Sequence, residues 1–204
     1  MTRTLTALYD SYEDAEATVR DLEAAGIPDD DISLVANTAV TRRESVKEGN
    51  EAGPGAGAGA GLGAVVGGGA GLLAGLGMMA IPGVGPVVAA GWLVATLVGA
   101  AGGAVVGGAA GGLIGAMIGN GVPEEDANVY AEGVRRGGTL ITVRVGEDLV
   151  TTARRILDEY RPVDARARGE AYRKDGWSRF DENAPVYTEE ELERERQLRT
   201  STTV

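Results

Sequence analysis

The chain has 204 residues, a net charge of −11, 33 glycines and only 4% aromatic residues. The acidic balance excludes nucleic acid as an expected partner, because phosphate binding needs clustered Lys and Arg side chains. The sequence contains no cysteine and no histidine, which removes disulfides, thiolate metal sites and every role that needs an imidazole. We therefore expect no catalytic residue, no cofactor and no bound metal, and we predict that the protein is not an enzyme.

Residues 1–52 are predicted to form a β-α-β unit followed by a linker. Residues 4–9 alternate and are rich in strand-forming side chains, and Ser11 can cap the helix that follows. Gly26 and Pro28 end that helix, and residues 32–36 are typical of a second strand. The apolar face of the helix carries Tyr12, Ala15, Val19 and Leu22.

The middle segment, residues 53–121, contains no ionisable side chain. A turn interrupts it at Pro82, Gly83, Gly85 and Pro86, because a helix does not pass through two closely spaced prolines. The two halves are predicted to form a Gly/Ala-rich antiparallel helical hairpin. Glycine recurs at every fourth position in each arm, namely at Gly55, Gly59, Gly63, Gly67, Gly71 and Gly75, then at Gly99, Gly103, Gly107, Gly111, Gly115 and Gly119, with Gly91 extending the second row.

This spacing predicts a glycine zipper. Residues four apart are neighbours on one helical face, so a row of glycines makes a groove in which a second helix backbone can lie close. The row drifts by about 40° around the axis at each step, so one straight partner helix cannot cover it. We therefore expect the arms to pack on each other and on other copies of the chain, which predicts a homo-oligomer.

The hairpin is predicted to associate with membrane lipid. Each arm exceeds the roughly 20 residues that cross a hydrocarbon core, and the turn carries no charge. The first 14 residues lack the apolar run of a secretory signal, so we expect the inner membrane as location, with the α/β domain facing the cytoplasm. A water-soluble helical assembly in the cytoplasm and a disordered segment are the alternatives.

Residues 122–165 are predicted to supply a second half of similar design. Pro123 and the acids after it start a helix, residues 139–145 alternate as a strand, and residues 149–160 make an amphipathic helix. Pro162 ends that helix, and residues 163–165 are predicted as a fourth strand. Two such halves predict an α+β fold, a ferredoxin-like α/β sandwich interrupted by the helical hairpin.

The C-terminal tail, residues 166–204, is polar and poor in aliphatic residues, so most of it is predicted to be flexible. Its aromatic residues stand out from this background. They are predicted to dock on the domain or to bind a protein partner, and the third alternative gives them no role. The residues concerned are Trp177, Phe180 and Tyr187.

The order of elements resembles that of the bacterial general stress protein 17M-like proteins. The resemblance rests on a β-α-β unit, a glycine-zipper insert with Pro-Gly-Val-Gly-Pro at residues 82–86, and Gly121-Val122-Pro123-Glu124-Glu125 ahead of the strand at 139–145. It covers about residues 1–165 and leaves the tail outside. It implies a role in the response to heat and other general stresses, and it brings no catalytic residues with it.

Three functional hypotheses follow from the sequence. The preferred one is a non-enzymatic stress-response protein whose hairpin associates with the membrane and self-assembles. The second is a soluble self-assembling scaffold or particle-forming protein built on the same hairpin. The third is a regulatory domain that senses a small molecule through its α/β sheet.

Overall fold

The computed structural model describes residues 2–38, 41, 77–102 and 112–202. Within these ranges five strands form one antiparallel sheet in the order β1-β5-β2-β4-β3. The strands are β1 (Thr2–Tyr9), β2 (Ile32–Asn37), β3 (Gly77–Ile81), β4 (Gly85–Gly91) and β5 (Thr139–Gly146).

Helices cover both faces of the sheet. Several of their ends follow the sequence signals, since the Ser11 hydroxyl accepts a hydrogen bond from the Asp14 amide and Pro123 stands at the start of an acidic first turn. The described α-helices are α1 (Tyr12–Ala24), α2 (Trp92–Gly102), α3 (Leu113–Gly119), α4 (Glu124–Arg135), α5 (Val150–Glu159), α6 (Ala165–Lys174) and α7 (Glu189–Thr202), and a short 3-10 helix spans Asp29–Asp31.

Helices α1 and α5 pack on the first face of the sheet. Odd-numbered residues of β1 and β5 point to this face and are joined by the apolar stripe of α1. Tyr9 is buried there, and its hydroxyl donates a 2.7 Å hydrogen bond to the Leu157 carbonyl. Burial raises the pKa of Tyr9 to about 12, so this phenol stays neutral and keeps donating at physiological pH.

Helices α2, α3 and α4 cover the second face. Their core includes Leu93 of α2, Met117 of α3 and Val134 of α4, none of which is exposed. These helices lie against residues of the opposite strand parity, such as Leu8 and Val35. The end of the uncharged segment is therefore part of the domain core.

The prediction of a mixed helix and sheet fold is confirmed, whereas the ferredoxin-like strand order is not. The strand predicted at 163–165 is absent, because Ala165 begins α6 after the Asp164 side chain caps it. What remains is a single contact in which the Val163 amide donates a 2.7 Å hydrogen bond to the Leu8 carbonyl of β1.

The predicted turn at Pro82 to Pro86 exists, but it joins two strands and not two helices. The Val84 amide donates to the Ile81 carbonyl at 3.1 Å, with Pro82 and Gly83 as the central residues. Gly83 has a φ of +73°, as a type II turn requires at its third position. Because the next residues include β-branched Val87 and Val88, the chain continues as β4 beside β2.

The glycine positions predicted for helix packing therefore fall into different surroundings. Gly91 ends strand β4, which corrects its predicted place on a helix. Gly99 lies in α2, and Gly115 and Gly119 lie in α3. The remaining positions, Gly55, Gly59, Gly63, Gly67, Gly71, Gly75, Gly103, Gly107 and Gly111, lie outside the described residues.

None of the helices described in the ranges given above combines the length and the apolar composition needed to cross a membrane. Helix α2 spans 11 residues and α3 spans 7. The predicted continuous helical arm from residue 86 to residue 121 is corrected accordingly, because β4 occupies its first part.

The tail also differs from the flexible segment that was predicted. Residues 165–202 contain helices α6 and α7, joined by a segment that packs on the second face of the domain. The reason is that a few apolar side chains, widely spaced in a polar sequence, are all buried. They are Tyr172, Phe180 and Leu192.

Candidate functional site

The tail crosses the β3–β4 turn and the C-terminal half of α4, and we call this contact the tail-docking site. Three elements build it: the turn at residues 81–85, helix α4 with the residue that follows it, and the tail between Tyr172 and Glu195. The residues from α4 are Asn128, Glu132 and Arg135, and Arg136 comes directly after the helix. The site brings together two sets of residues that were predicted independently, the turn glycines and the tail aromatics.

The turn glycines leave room for the tail to lie directly on the backbone. A Cβ atom placed on Gly83 would lie 2.7 Å from the Cα atom of Glu182 and 2.9 Å from the Cζ atom of Phe180. One placed on Gly85 would lie 2.5 Å from the Cγ1 atom of Val186. Both glycines also have positive φ angles, so each is required by the turn and by the docked tail.

Phe180 is the apolar anchor of the tail. Its side chain is 7% exposed and belongs to the core of the second face, with Ile81 and Val84 of the β3–β4 hairpin. Its amide donates a 3.2 Å hydrogen bond to the side-chain carbonyl of Asn128. One buried ring beside the β3–β4 hairpin and one backbone hydrogen bond to α4 therefore hold this part of the tail on the domain.

A buried ionic network lies beside this anchor. Glu132 is not exposed, and its carboxylate accepts from Arg136 Nε at 2.7 Å and from Arg135 Nη1 at 3.2 Å. Arg136 also pairs at 3.3 Å with Glu195 of α7, and Arg135 donates to the Pro185 carbonyl at 2.9 Å. The two arginines thus connect a buried carboxylate of the domain to the tail.

Aromatic rings of the tail cover the same two guanidinium groups. The Arg136 guanidinium lies 4.3 Å from the ring centre of Tyr172 and 5.7 Å from that of Tyr187, while Arg135 lies 4.9 Å from Tyr187. Such contacts stabilise a cation most where it is desolvated. Trp177 stands one step further out, edge to face on Tyr172 with ring centres 5.6 Å apart.

The electrostatics of the site favour the charged form of Arg136. Burial lowers the pKa of this guanidinium, but the hydrogen bond and the negative charge of Glu132 outweigh it, so the pKa lies above its ordinary value. Burial raises the pKa of Tyr187 against the opposing effect of Arg136, so its phenol is neutral at physiological pH. The cation and the two rings beside it are suited to holding a peptide segment.

Sequence reasoning missed the charged half of this site. The sequence analysis assigned no site to Glu132, Arg135 or Arg136. A signal was present, because a glutamate three and four residues before two arginines on one helix is the spacing of an ion-pair network. The predicted turn residues Pro82 and Pro86 are exposed and make no part of the network.

Among the residues that the structure describes, no group of three or more acidic side chains is placed to hold a metal ion. The described contacts instead bind one part of the chain to another. The site is accordingly an interaction site in its geometry.

We expect replacement of Phe180 with alanine to release the segment 177–187 from the domain. Truncating a buried phenylalanine costs about 3 kcal/mol or more, which exceeds the roughly 1 kcal/mol that either of the remaining hydrogen bonds, to Asn128 and from Arg135, supplies. Limited proteolysis should then cleave the tail faster in Phe180→Ala than in the unaltered protein. The neighbouring Arg179 is exposed, so Arg179→Ala is the matched control and should leave the cleavage rate unchanged. Equal rates in both variants would contradict the docking.

Comparison with known proteins bears on the N-terminal part of the chain. Residues 4–84 match the family model described as the heat induced stress protein YflT domain. This confirms the predicted resemblance to bacterial general stress proteins over β1, α1, β2 and β3, with the glycine-rich residues between β2 and β3 inside the matched range. The match ends at Val84, so the tail-docking site lies mostly outside it. No curated protein and no solved structure matches the chain significantly.

Proposed function

We propose that this chain is a non-enzymatic bacterial stress-response protein that associates with the membrane and self-assembles through its glycine-rich segment. The match to a heat-induced stress domain supports the general stress-response role. Membrane association and self-assembly are proposed for the uncharged residues 53–121. They are supported by the apolar side chains that the described residues of this segment expose.

Two large apolar side chains from this uncharged run are exposed. Met78 of β3 is 52% exposed and Ile118 of α3 is 38% exposed. Strand β3 also lies at one edge of the described sheet. An uncharged edge strand can pair through its outward backbone groups with a strand of another chain, which favours self-association. These exposed apolar groups next to the glycine-rich segment are the observation that carries the proposal.

The glycine spacing supports the same conclusion from the sequence. Rows of glycine at every fourth position favour close packing of helices, in lipid or in an assembly, over isolated helices in water. Most of those positions lie outside the described residues, so they support the proposal through their spacing in the sequence alone.

Membrane fractionation of the full-length protein tests the proposal. We expect the protein to stay with membranes after alkaline extraction and to appear as an oligomer in native mass spectrometry. Met78→Lys places a charge on the exposed apolar surface and should shift the protein toward the soluble fraction, since a lysine inserted into the apolar phase costs about 3 kcal/mol. Thr151→Lys adds the same charge on exposed α5 and should change nothing.

The outcomes separate the alternatives. Recovery of the unaltered protein as large lipid-free particles would favour the soluble scaffold. Recovery as a soluble monomer would contradict both membrane association and self-assembly.

A further inference from the structure

The outer edge of β1 borders a cleft of about 500 Å³. Within the described sheet β1 pairs with β5 alone, so its other side faces this space. Helix α4 forms one wall and α5 the other, while residues 162–164 close one end. The cleft is lined by Thr4, Thr6, Tyr130, Arg154, Leu157 and Val163, among others.

The contact at the closed end reveals which backbone groups of β1 face the cleft. The Leu8 carbonyl accepts from the Val163 amide, so at Leu8 the backbone points away from β5. In an antiparallel ladder this orientation alternates, so the N–H and C=O groups of Thr6 and Thr4 also point outward. Val163 thus makes the first step of a strand pairing that none of the described residues continues along the cleft.

The side chains of the cleft alternate in the same way. Thr4 and Thr6 share the parity of Leu8 and lie toward α4 with Tyr130, whereas Leu5 lies toward α5 with Leu157. The Thr6 hydroxyl oxygen is buried and has no hydrogen-bond partner within the described part of the chain. An extended segment in the cleft would meet Thr4, Thr6 and Tyr130 on the α4 side. On the α5 side it would meet apolar Leu5 and Leu157 together with Arg154 and Asp158.

The charge of the cleft is predominantly negative. Of the described residues that line it, Asp126, Asp158 and Asp164 are acidic and Arg154 alone is basic. Burial, followed by the charges of Asp126 and Asp164, raises the pKa of Tyr130 to about 12, which agrees with a negative potential on the α4 wall. A ligand that carries positive charge toward α4 is therefore favoured.

We propose that this cleft binds an extended basic peptide, which adds to the sheet as a strand alongside β1. Main-chain hydrogen bonds to Thr4 and Thr6 hold the backbone, as in strand addition to an open sheet edge. Alternate side chains then lie toward Asp126 and Tyr130 on one wall and toward Leu157 on the other. The preferred sequence alternates Lys or Arg with an aliphatic residue.

The probe is a blocked peptide of sequence Thr-Val-Lys-Val-Lys-Val-Thr, titrated into the full-length protein. We expect the Thr4 and Thr6 amides to become protected from hydrogen exchange as the peptide binds. The counterpart with glutamate in place of both lysines should bind at least about tenfold more weakly, because it meets three aspartates and tenfold corresponds to one modest electrostatic contact. Absence of protection at millimolar concentrations of the lysine peptide would overturn the proposal.

Two protein variants separate the backbone contact from the side-chain contact. Thr4→Pro removes an outward N–H that β5 does not use, and proline is tolerated at that kind of edge position. We expect it to weaken peptide binding about tenfold, while Thr4→Val, which keeps the N–H, stays within about twofold. Equal affinities of the two variants would exclude strand addition.

A second pair of variants tests the charge. Asp126→Lys should weaken binding of the lysine peptide about fivefold or more, and added salt should weaken binding to the unaltered protein. Glu147→Lys makes the same change on an exposed residue that does not line the cleft, and it should leave the affinity unchanged. An equal loss of peptide affinity in both variants would mean that only the net charge of the protein matters, and it would contradict binding in the cleft.

A second copy of the chain is the competing occupant of this edge. If it were present, Thr4→Pro would lower the oligomeric mass measured by light scattering without any peptide. That result would show that the edge of β1 binds a second copy of the chain and not a peptide, and it would overturn the proposal.

Discussion

Replacing Gly91 with alanine is expected to lower the free energy of unfolding by about 3 kcal/mol. Gly91 has a φ of +90°, where a side chain adds backbone strain. A Cβ atom there would collide with the Ile32 carbonyl and lie 2.7 Å from the Cα atom of Ser33. Because these are backbone atoms of the paired strand β2, the neighbours cannot move aside without breaking the β2–β4 pairing.

Gly119→Ala is the matched control for this experiment. Gly91 and Gly119 belong to the same predicted row of helix-packing glycines, but Gly119 ends α3 and a Cβ atom there meets nothing within 4 Å. Alanine should leave the stability unchanged or raise it by up to about 1 kcal/mol. Urea unfolding midpoints with unchanged slopes provide the comparison.

The pair of variants discriminates between the helical prediction and the strand. If Gly91 stood in the middle of a helix, alanine would be a favourable replacement there as well, and the two variants would behave alike. A loss confined to Gly91→Ala indicates that this glycine serves the close approach of two strands. Equal mild effects would contradict the position of β4 in the sheet.

Local signals were enough to predict β1, α1, β2, α4, β5 and α5, all of which lie outside the uncharged segment. The alternation of residues 139–145 corresponds to β5, and the stripe of Tyr12, Ala15, Val19 and Leu22 is buried beneath α1. The Ser11 cap and the acidic start of α4 lie at the expected helix ends. Each of these signals depends on residues within one helical turn or one strand, and the tertiary contacts favour the same structure.

The β3–β4 hairpin was missed because two patterns compete in one stretch of sequence. The fourfold glycine spacing is a helical period, and residues 86–91 were read as part of it. A continuous apolar run of strand length is equally compatible with a strand buried on both faces. Val87 and Val88 supply the β-branched residues that favour this alternative, and pairing with β2 decides between them.

The docked tail was beyond prediction for a different reason. Composition alone gives the average of a segment, and the average of residues 166–204 is polar. Docking depends on where Tyr172, Phe180 and Leu192 fall relative to a surface that only the folded domain creates. The candidate site therefore required the tertiary structure, although its aromatic half was visible as an island in the sequence.

Replacing Glu132 with alanine is expected to destabilise the protein by about 3 kcal/mol, because it removes one member of a buried ionic network. Arg135 and Arg136 would lose their carboxylate while their side chains remain only 12% and 11% exposed. This loss of stability lies at the lower end of the range for breaking a buried ion pair, because Arg136 keeps its ion pair with Glu195. Thermal unfolding and hydrogen exchange over residues 180–195 would measure the global and the local effect.

Glu159→Ala gives the matched control, because Glu159 forms an ion pair of the same i,i+4 spacing with Arg155. The two side chains of that pair are 54% and 67% exposed, so water screens them, and the change should stay below about 0.5 kcal/mol. An equal loss of stability in both variants would indicate that Glu132 contributes only as a negative charge on a helix, and not through its buried ion pairs. Faster exchange in the tail of Glu132→Ala alone would indicate that a carboxylate buried in the domain holds the C-terminal segment in place through two arginines.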